Sequence, residues 1–178
     1  HELPVVAMNL IFQSGADHDP VDQPGIASMT ADLLDEGTKT RTTLQISEEI
    51  DAIGASLGTG ASVDGSFITL NTLTKHLDKA LSVYTDVIAN PVFPEKEFGR
   101  LQKQRLTSLV QQRDQPPAIA NNAFSYLLYG SGHPYGHNPA GTEVPVKAMT
   151  PDGMAKFYET YYRPNNGTLI VVGDVTLK

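Results

Sequence analysis

Two apolar, β-rich runs lie near opposite ends of this sequence, and the hydrophobic patterns between them are helical apart from a single hairpin. The first run, Val5–Phe12, is interrupted only by Asn9 and reads as a strand with much of both faces covered. The second spans residues 168–172. No other feature constrains the fold as much as this order. A doubly wound parallel sheet needs strands and helices to alternate one by one, and here they do not. The pattern predicts an α+β fold, with helices packed on one face of a mostly antiparallel sheet.

The intervening elements can be placed from their own signals. Ile26, Met29, Leu33 and Leu34 recur at helical spacing, and Gly37 supplies a stop. A second helix starts at Thr42, where Gln45 three residues on completes a capping box. Ile46, Ile50 and Ile53 form its buried stripe, and Gly54 ends it. Residues 55–61 and 66–73 flank the turn signal Asp64-Gly65 and predict a hairpin. Leu77, Ala80, Leu81, Tyr84 and Ile88 mark a helix closed by Asn90-Pro91, and Pro94 opens a long polar helix reaching about Arg113. After Pro116-Pro117, a helix carries Ala120, Ala123, Phe124, Leu127 and Leu128 on one face. A Gly, His and Pro-rich loop covers 130–142, and Thr150-Pro151 caps a last helix with Met154, Phe157, Tyr158 and Tyr161 on its apolar face. The terminal strands are apolar on more than one face, so the sheet is expected to be uncovered, or partly covered, on one side. With no linker or repeat, residues 1–178 read as a single unit. Opening at His1 within an apparent strand, that unit is expected to be a piece of a longer chain.

Charge and composition exclude several functions. The net charge is -7 and no Lys/Arg run occurs, which argues against nucleic acid and anionic membrane as partners. No apolar run approaches the ~20 residues of a membrane span. The chain has no cysteine, so disulfides and thiolate metal sites are excluded. A cysteine-free chain suits the cytoplasm and a bacterial envelope alike.

Candidate chemistry is sparse. His133 and His137 are the one close histidine pair, but no carboxylate follows until Glu143, short of the three or four ligands a metal site needs. They read as part of a structured loop with ring nitrogens bonded to backbone carbonyls. Asp17, His18 and Asp19 lie in turn chemistry and read as solvated. Asp35 and Glu36 close a helix and are expected to face water, while Glu48 and Glu49 near a helix start suit its dipole. Ser131, in Tyr129-Gly-Ser-Gly-His133, lacks the strand–turn–helix setting of a nucleophile elbow: a helix precedes it, and Tyr129 stands where the motif has its first glycine. Asn166-Gly167-Thr168 is a formal glycosylation sequon and a frequent chance match.

Seven segments in shared order resemble the zinc metallopeptidase family of pitrilysin, insulinase and the mitochondrial processing peptidase. They are Gly25-Ile-Ala, Glu36-Gly-Thr-Lys-Thr-Arg41, Ile53-Gly-Ala-Ser-Leu57, Ile88-Ala-Asn-Pro-Val-Phe-Pro94, His133-Pro-Tyr-Gly136, Tyr161-Tyr-Arg-Pro-Asn-Asn166 and Ile170-Val-Val-Gly-Asp174. Active members carry H-x-x-E-H on the helix after the first strand, with two histidines on one face for zinc and a glutamate base, and a later Glu ligand. Here Ser28 and Asp32 stand at the histidine positions, Ala31 at the base and Ser108 at the later ligand. One Asp and two Ser do not replace two imidazoles and a Glu. The resemblance therefore implies the first domain of the degenerate half: no catalytic, cofactor or metal residue of its own, and a role in enclosing peptide. Zinc is expected in a partner half, in the same chain or a paired subunit, and the family's chamber Arg and Tyr in a following domain. It leaves a scaffold paralogue without proteolytic role as the alternative, and favours a bacterial periplasm or envelope over the cytoplasm.

Overall fold

The computed structural model describes residues 3–176. The expected opening within a strand rests on His1, which lies outside the described residues. Four strands form one antiparallel sheet in the order β2-β3-β1-β4. They are β1 (Val5–Phe12), β2 (Ser56–Ala61), β3 (Ser66–Leu73) and β4 (Gly167–Gly173). β1 runs from Val5 opposite Leu73 to Phe12 opposite Ser66, and its other edge pairs Val6 with Gly173. The two end runs of the sequence are thus hydrogen-bonded neighbours, and the hairpin β2–β3 extends the sheet beyond β1.

The helices are α1 (Ile26–Leu33), α2 (Thr43–Ala52), α3 (Leu77–Ala89), α4 (Glu95–Gln112), α5 (Pro116–Tyr129), α6 (Glu143–Ala148) and α7 (Pro151–Tyr161). Alternation along the strands puts Val6, Phe12, Ile68 and Leu70 on the helix side, where they are buried with Met29, Leu33, Val83, Val87 and Met154. Tyr84 of α3 anchors on the sheet, its hydroxyl donating to the Ile68 carbonyl at 2.9 Å. The capping box of α2 forms as expected: Gln45 N–H donates to Thr42 Oγ1 and Thr42 N–H to Gln45 Oε1. The far face of the sheet is open, with Val5, Phe67, Ile170 and Val172 exposed. The expectation that both faces of β1 are largely covered is corrected by this open face. Leu169 and Val171, on the helix side of β4, are exposed as well, so the helical layer stops short of that strand.

Asp86 on α3 is a buried hub for the segment after α1. It accepts hydrogen bonds from Thr38 Oγ1 (2.6 Å), Thr40 Oγ1 (2.7 Å), Asn90 Nδ2 (2.9 Å) and Arg41 Nη1 (2.9 Å). Burial alone would raise its pKa, but these donors hold the carboxyl well below the usual range. Arg41 also spans to Glu49, which lies in the middle of α2 rather than near its start. The dipole role assigned to Glu48 and Glu49 is therefore replaced, for Glu49, by an ion pair.

Candidate functional site where α1 meets α4

Helix α1 is set by a side chain that turn chemistry alone did not reveal. Asp19 accepts the backbone N–H of Gly25 (2.6 Å) and of Ala27 (2.9 Å) and so caps the helix from six residues upstream. It is not solvated: burial pushes its carboxyl up to about 6 against those two bonds. Gly25 has φ +98 and lies against Ala140 and Gly141, where a Cβ would meet backbone atoms within 3 Å. Only glycine lets the start of α1 and this loop approach so closely. In the Asp17-His18 pair, Asp17 Oδ1 accepts from Gly15 N–H and lies 2.7 Å from His18 Nδ1.

Ser28 and Asp32, four residues apart, share the face of α1 turned to α4. A third side chain meets both of them. Arg105 of α4 donates through Nη2 to Ser28 Oγ at 3.0 Å and to Asp32 Oδ2 at 2.5 Å. Its Nη1 donates to the Ala140 carbonyl at 3.0 Å. The Arg105 side chain is 12% exposed and that of Asp32 39%. Ala31 is fully buried. Ser108 lies one turn further along α4; with Asp32, Asp35, Glu36, Gly58, Thr59 and Arg105 it lines a cleft of ≈ 480 Å³. The structure thus links Ser28 to Asp32 through Arg105 and puts Asp32 and Ser108 on one cleft. Sequence reasoning missed Arg105, whose signal is an arginine one helical turn before Ser108.

These residues do not fit zinc. A site of two hydroxyls and one carboxylate lacks the nitrogen and sulfur donors zinc prefers. A guanidinium, always protonated, already holds the two α1 side chains. Nearby carboxylates add no ligand set: Glu36 is held by Arg100, which also binds Glu97 at 2.8 Å. Asp35 is half-buried, and its partial burial, with Glu36 and Asp32 near it, pushes its carboxyl up to about 6 while Thr59 donates to it weakly. The expectation that Asp35 and Glu36 face water is thereby corrected. Among the described residues, no group of three or more His, Cys, Asp or Glu could hold a metal ion.

The histidine loop is separate. His133 Nδ1 accepts the backbone N–H of Tyr135 at 3.1 Å, so the ring nitrogen meets an amide and not the expected carbonyl. The ring stacks on Tyr129 at 5.3 Å. Tyr135 reaches the hairpin turn through Asp64. His137 lines a different cleft, with Leu109, Ile119, Asn122 and Tyr126. Ser131 sits in the turn after α5, with no strand before it. Asn166 donates through its side chain to the Tyr161 carbonyl at 3.1 Å and serves the entry to β4.

Residues 1–129 match the family model for Insulinase (Peptidase family M16). This coverage, with the α+β architecture, places the chain in that family. An uncharacterized zinc protease of Rickettsia felis is 28% identical over 170 residues, covering 96% of this chain and 41% of the relative. The solved M16 inactive domain from Pseudomonas fluorescens is 29% identical, with a TM-score of 0.95 over 99% of this chain and 43% of that one. The periplasmic protease PqqL from Escherichia coli, 18% identical, shares the fold with a TM-score of 0.83 over 97% of this chain and 20% of its own. The chain spans about two-fifths of the length of the curated relatives it matches.

Proposed function

We propose that this chain is a non-catalytic domain of a two-part M16 peptidase, closing a chamber around peptide opposite a zinc-bearing half. The carrying observation is Arg105. At the positions where the family pattern puts zinc ligands, a guanidinium bridges Ser28 and Asp32. Without a Lewis acid, water keeps its high pKa, and Ala31 leaves no base to take its proton. No residue of the chain is then catalytic and none binds a cofactor, zinc belonging to the partner half. Residues 1–178 act as one unit within a protein of the relatives' greater length. The likeness to the Pseudomonas fluorescens inactive domain supports the reading, and nothing favours a scaffold paralogue. The periplasmic PqqL neighbour and bacterial relatives favour a bacterial envelope setting; among the described residues no helix is long and apolar enough to cross a membrane.

The test is reconstitution. The full protein bearing this chain is mixed with its zinc-bearing half, and cleavage of a fluorogenic peptide is followed. The chain alone should be inert, and its addition should raise turnover by the half at least about tenfold, because enclosure and orientation contribute rate without chemistry. Ser28→Ala with Asp32→Ala should leave that stimulation within about twofold, as neither group is asked to bind a metal or transfer a proton. Loss of metal-dependent cleavage in a folded double mutant would overturn the assignment.

A further inference from the structure

A cavity lies between α5, the end of α4 and the loop that leads into α6. The α5 residues Ile119, Asn122 and Tyr126, spaced as one helical row, line it. The apolar row that the sequence pattern picked out, Ala120, Ala123, Phe124, Leu127 and Leu128, looks the other way, with Leu127 81% exposed. The cavity measures ≈ 430 Å³. That lies within the ~300–1,000 Å³ of small-molecule sites. It shares no lining residue with the cleft between α1 and α4. Part of its wall is apolar: Leu109, which is buried, with Ile119 and Tyr126.

The polar part of the wall is made of donors, and one backbone group fixes their orientation. The Ala140 N–H can only donate, and it donates to Asn138 Oδ1 at 3.0 Å. Asn138 is thereby left to offer Nδ2, which donates to Gln112 Oε1 at 3.2 Å. With its oxygen so engaged, Gln112 lines the cavity with an amide nitrogen that has no partner. Asn122 and His137 line it as well and make no hydrogen bond among the described residues.

Glu143 is the one carboxylate among the described lining residues, and two cations answer it. Arg113 Nη2 lies 2.7 Å from its Oε1 and Lys147 Nζ 3.9 Å from its Oε2. One positive charge is left over. Arg113 also lines the cavity, and only Nη2 of its fork is committed to Glu143. An ammonium ligand would meet donors and a surplus cation here. A phosphate carries about two charges and calls for more cations than one, in less apolar surroundings. A single carboxylate on an apolar body matches both the spare charge and the apolar wall.

From this geometry we infer that the cavity binds a monocarboxylate with an apolar body. Gln112 Nε2 and the Arg113 fork hold its carboxylate, with Asn122 and His137 as further donors, and its body packs on Leu109, Ile119 and Tyr126. A free alkyl carboxylic acid and the C-terminal residue of an apolar peptide present this same group.

The test is calorimetric titration of the full-length protein bearing this chain. The probes are octanoate and an N-acetylated tripeptide ending in leucine, each paired with its uncharged amide. At least one acid should bind with one site per chain, at least about tenfold tighter than its amide, which is the loss of one charge-assisted hydrogen bond. Octanoate alone would assign the free acid as ligand, the tripeptide alone the chain end, and both the shared group. Gln112→Glu keeps an oxygen for Asn138 Nδ2 but sets a negative charge on the wall. Arg113→Ala removes a 67% exposed side chain and the spare cation. Each should weaken the acid by at least about tenfold. Urea unfolding would confirm that both variants are folded. Absence of binding by either acid at millimolar concentration would overturn the inference, and so would an amide that binds as tightly as its acid. Wild-type affinity in either variant would overturn it too, by placing the ligand elsewhere on the protein.

Discussion

If Arg105 has taken over the position of a metal, restoring the zinc ligands should not restore zinc until the arginine is removed. The variant to make carries Ser28→His, Ala31→Glu, Asp32→His and Ser108→Glu, with and without Arg105→Leu. In the native chain the Arg105 Nη2 lies 3.0 Å from Ser28 Oγ and 2.5 Å from Asp32 Oδ2. A zinc held by imidazoles at those positions, with Zn–N bonds of about 2 Å, would sit roughly 4 Å from the guanidinium. Two unit charges at that distance repel by about 4 kcal/mol in an effective dielectric of 20, so a divalent ion meets about 8 kcal/mol. The side chain can swing toward solvent and relieve much of this. Even a third of it is roughly a hundredfold in affinity. Affinities from competition with a chromophoric chelator at pH 7.5, where imidazole is neutral, should therefore tighten by at least about a hundredfold on Arg105→Leu. Near-UV circular dichroism would confirm that both variants are folded. Equal zinc affinity with Arg105 present would show that the guanidinium leaves at no cost and that it does not exclude the metal.

Three further outcomes follow from the polar groups. Asp86→Asn removes the negative charge that pairs with half-buried Arg41 and replaces one of the carboxylate oxygens serving Arg41, Thr38, Thr40 and Asn90 with an amide donor, and should cost about 3 kcal/mol at pH 7, lowering Tm by roughly 6–12 °C. Because the folded carboxyl titrates well below its unfolded value, that contribution is present above about pH 4 and fades as pH falls further; a variant whose urea midpoint matched wild type at pH 7 would refute the hub. Asp35 is the opposite case: burial raises it to about 6, so its ionised form opposes folding, and the penalty grows as pH rises from about 4 to 6. Asp35→Asn should gain about 1–3 kcal/mol at pH 7.5 and nothing at pH 4, and an equal gain at both would refute the assignment. Thr42→Ala should cost about 1 kcal/mol through loss of the α2 capping box, and a change below about 0.3 kcal/mol in urea unfolding would deny that role.

What the sequence disclosed and what it hid divide along physical lines. The hairpin was legible because Asp64-Gly65 is a local signal between two β-rich runs. The α2 start was legible because a capping box closes within four residues. The order of segments was legible because it needs no geometry. Helix α6 was missed, since its six residues contain Pro145 and are too short to show periodicity. Asp19 was misread because its partners, Gly25 and Ala27, are reached around a turn that looks solvated when read locally. The α5 row was assigned to one face correctly, but periodicity says which residues share a face and not which way it looks. Arg105 was invisible because its partners lie 73 and 77 residues away, joined only by packing of α4 on α1.

The arginine also explains how the fold survives loss of its metal motif. Zinc ligands on α1 and α4, as the family pattern places them, would tie the two helices through one ion. In this chain the same helices are tied by a single guanidinium, and the tie extends further, because Arg105 also holds the Ala140 carbonyl. That bond fixes the loop against Gly25 at the start of α1, where Gly141 packs on Pro24. Ser28, Asp32 and Arg105 are therefore coupled. Asp32 without Arg105 would be a carboxylate at a helix packing surface with no cation, and Arg105 without Asp32 and Ser28 would be a mostly buried cation with one carbonyl. Either alone leaves a charge poorly paired, whereas the set satisfies its members and keeps α1, α4 and the loop in register. Each step toward restoring the metal must break that set first, so the arrangement of side chains between α1 and α4 holds together without a metal.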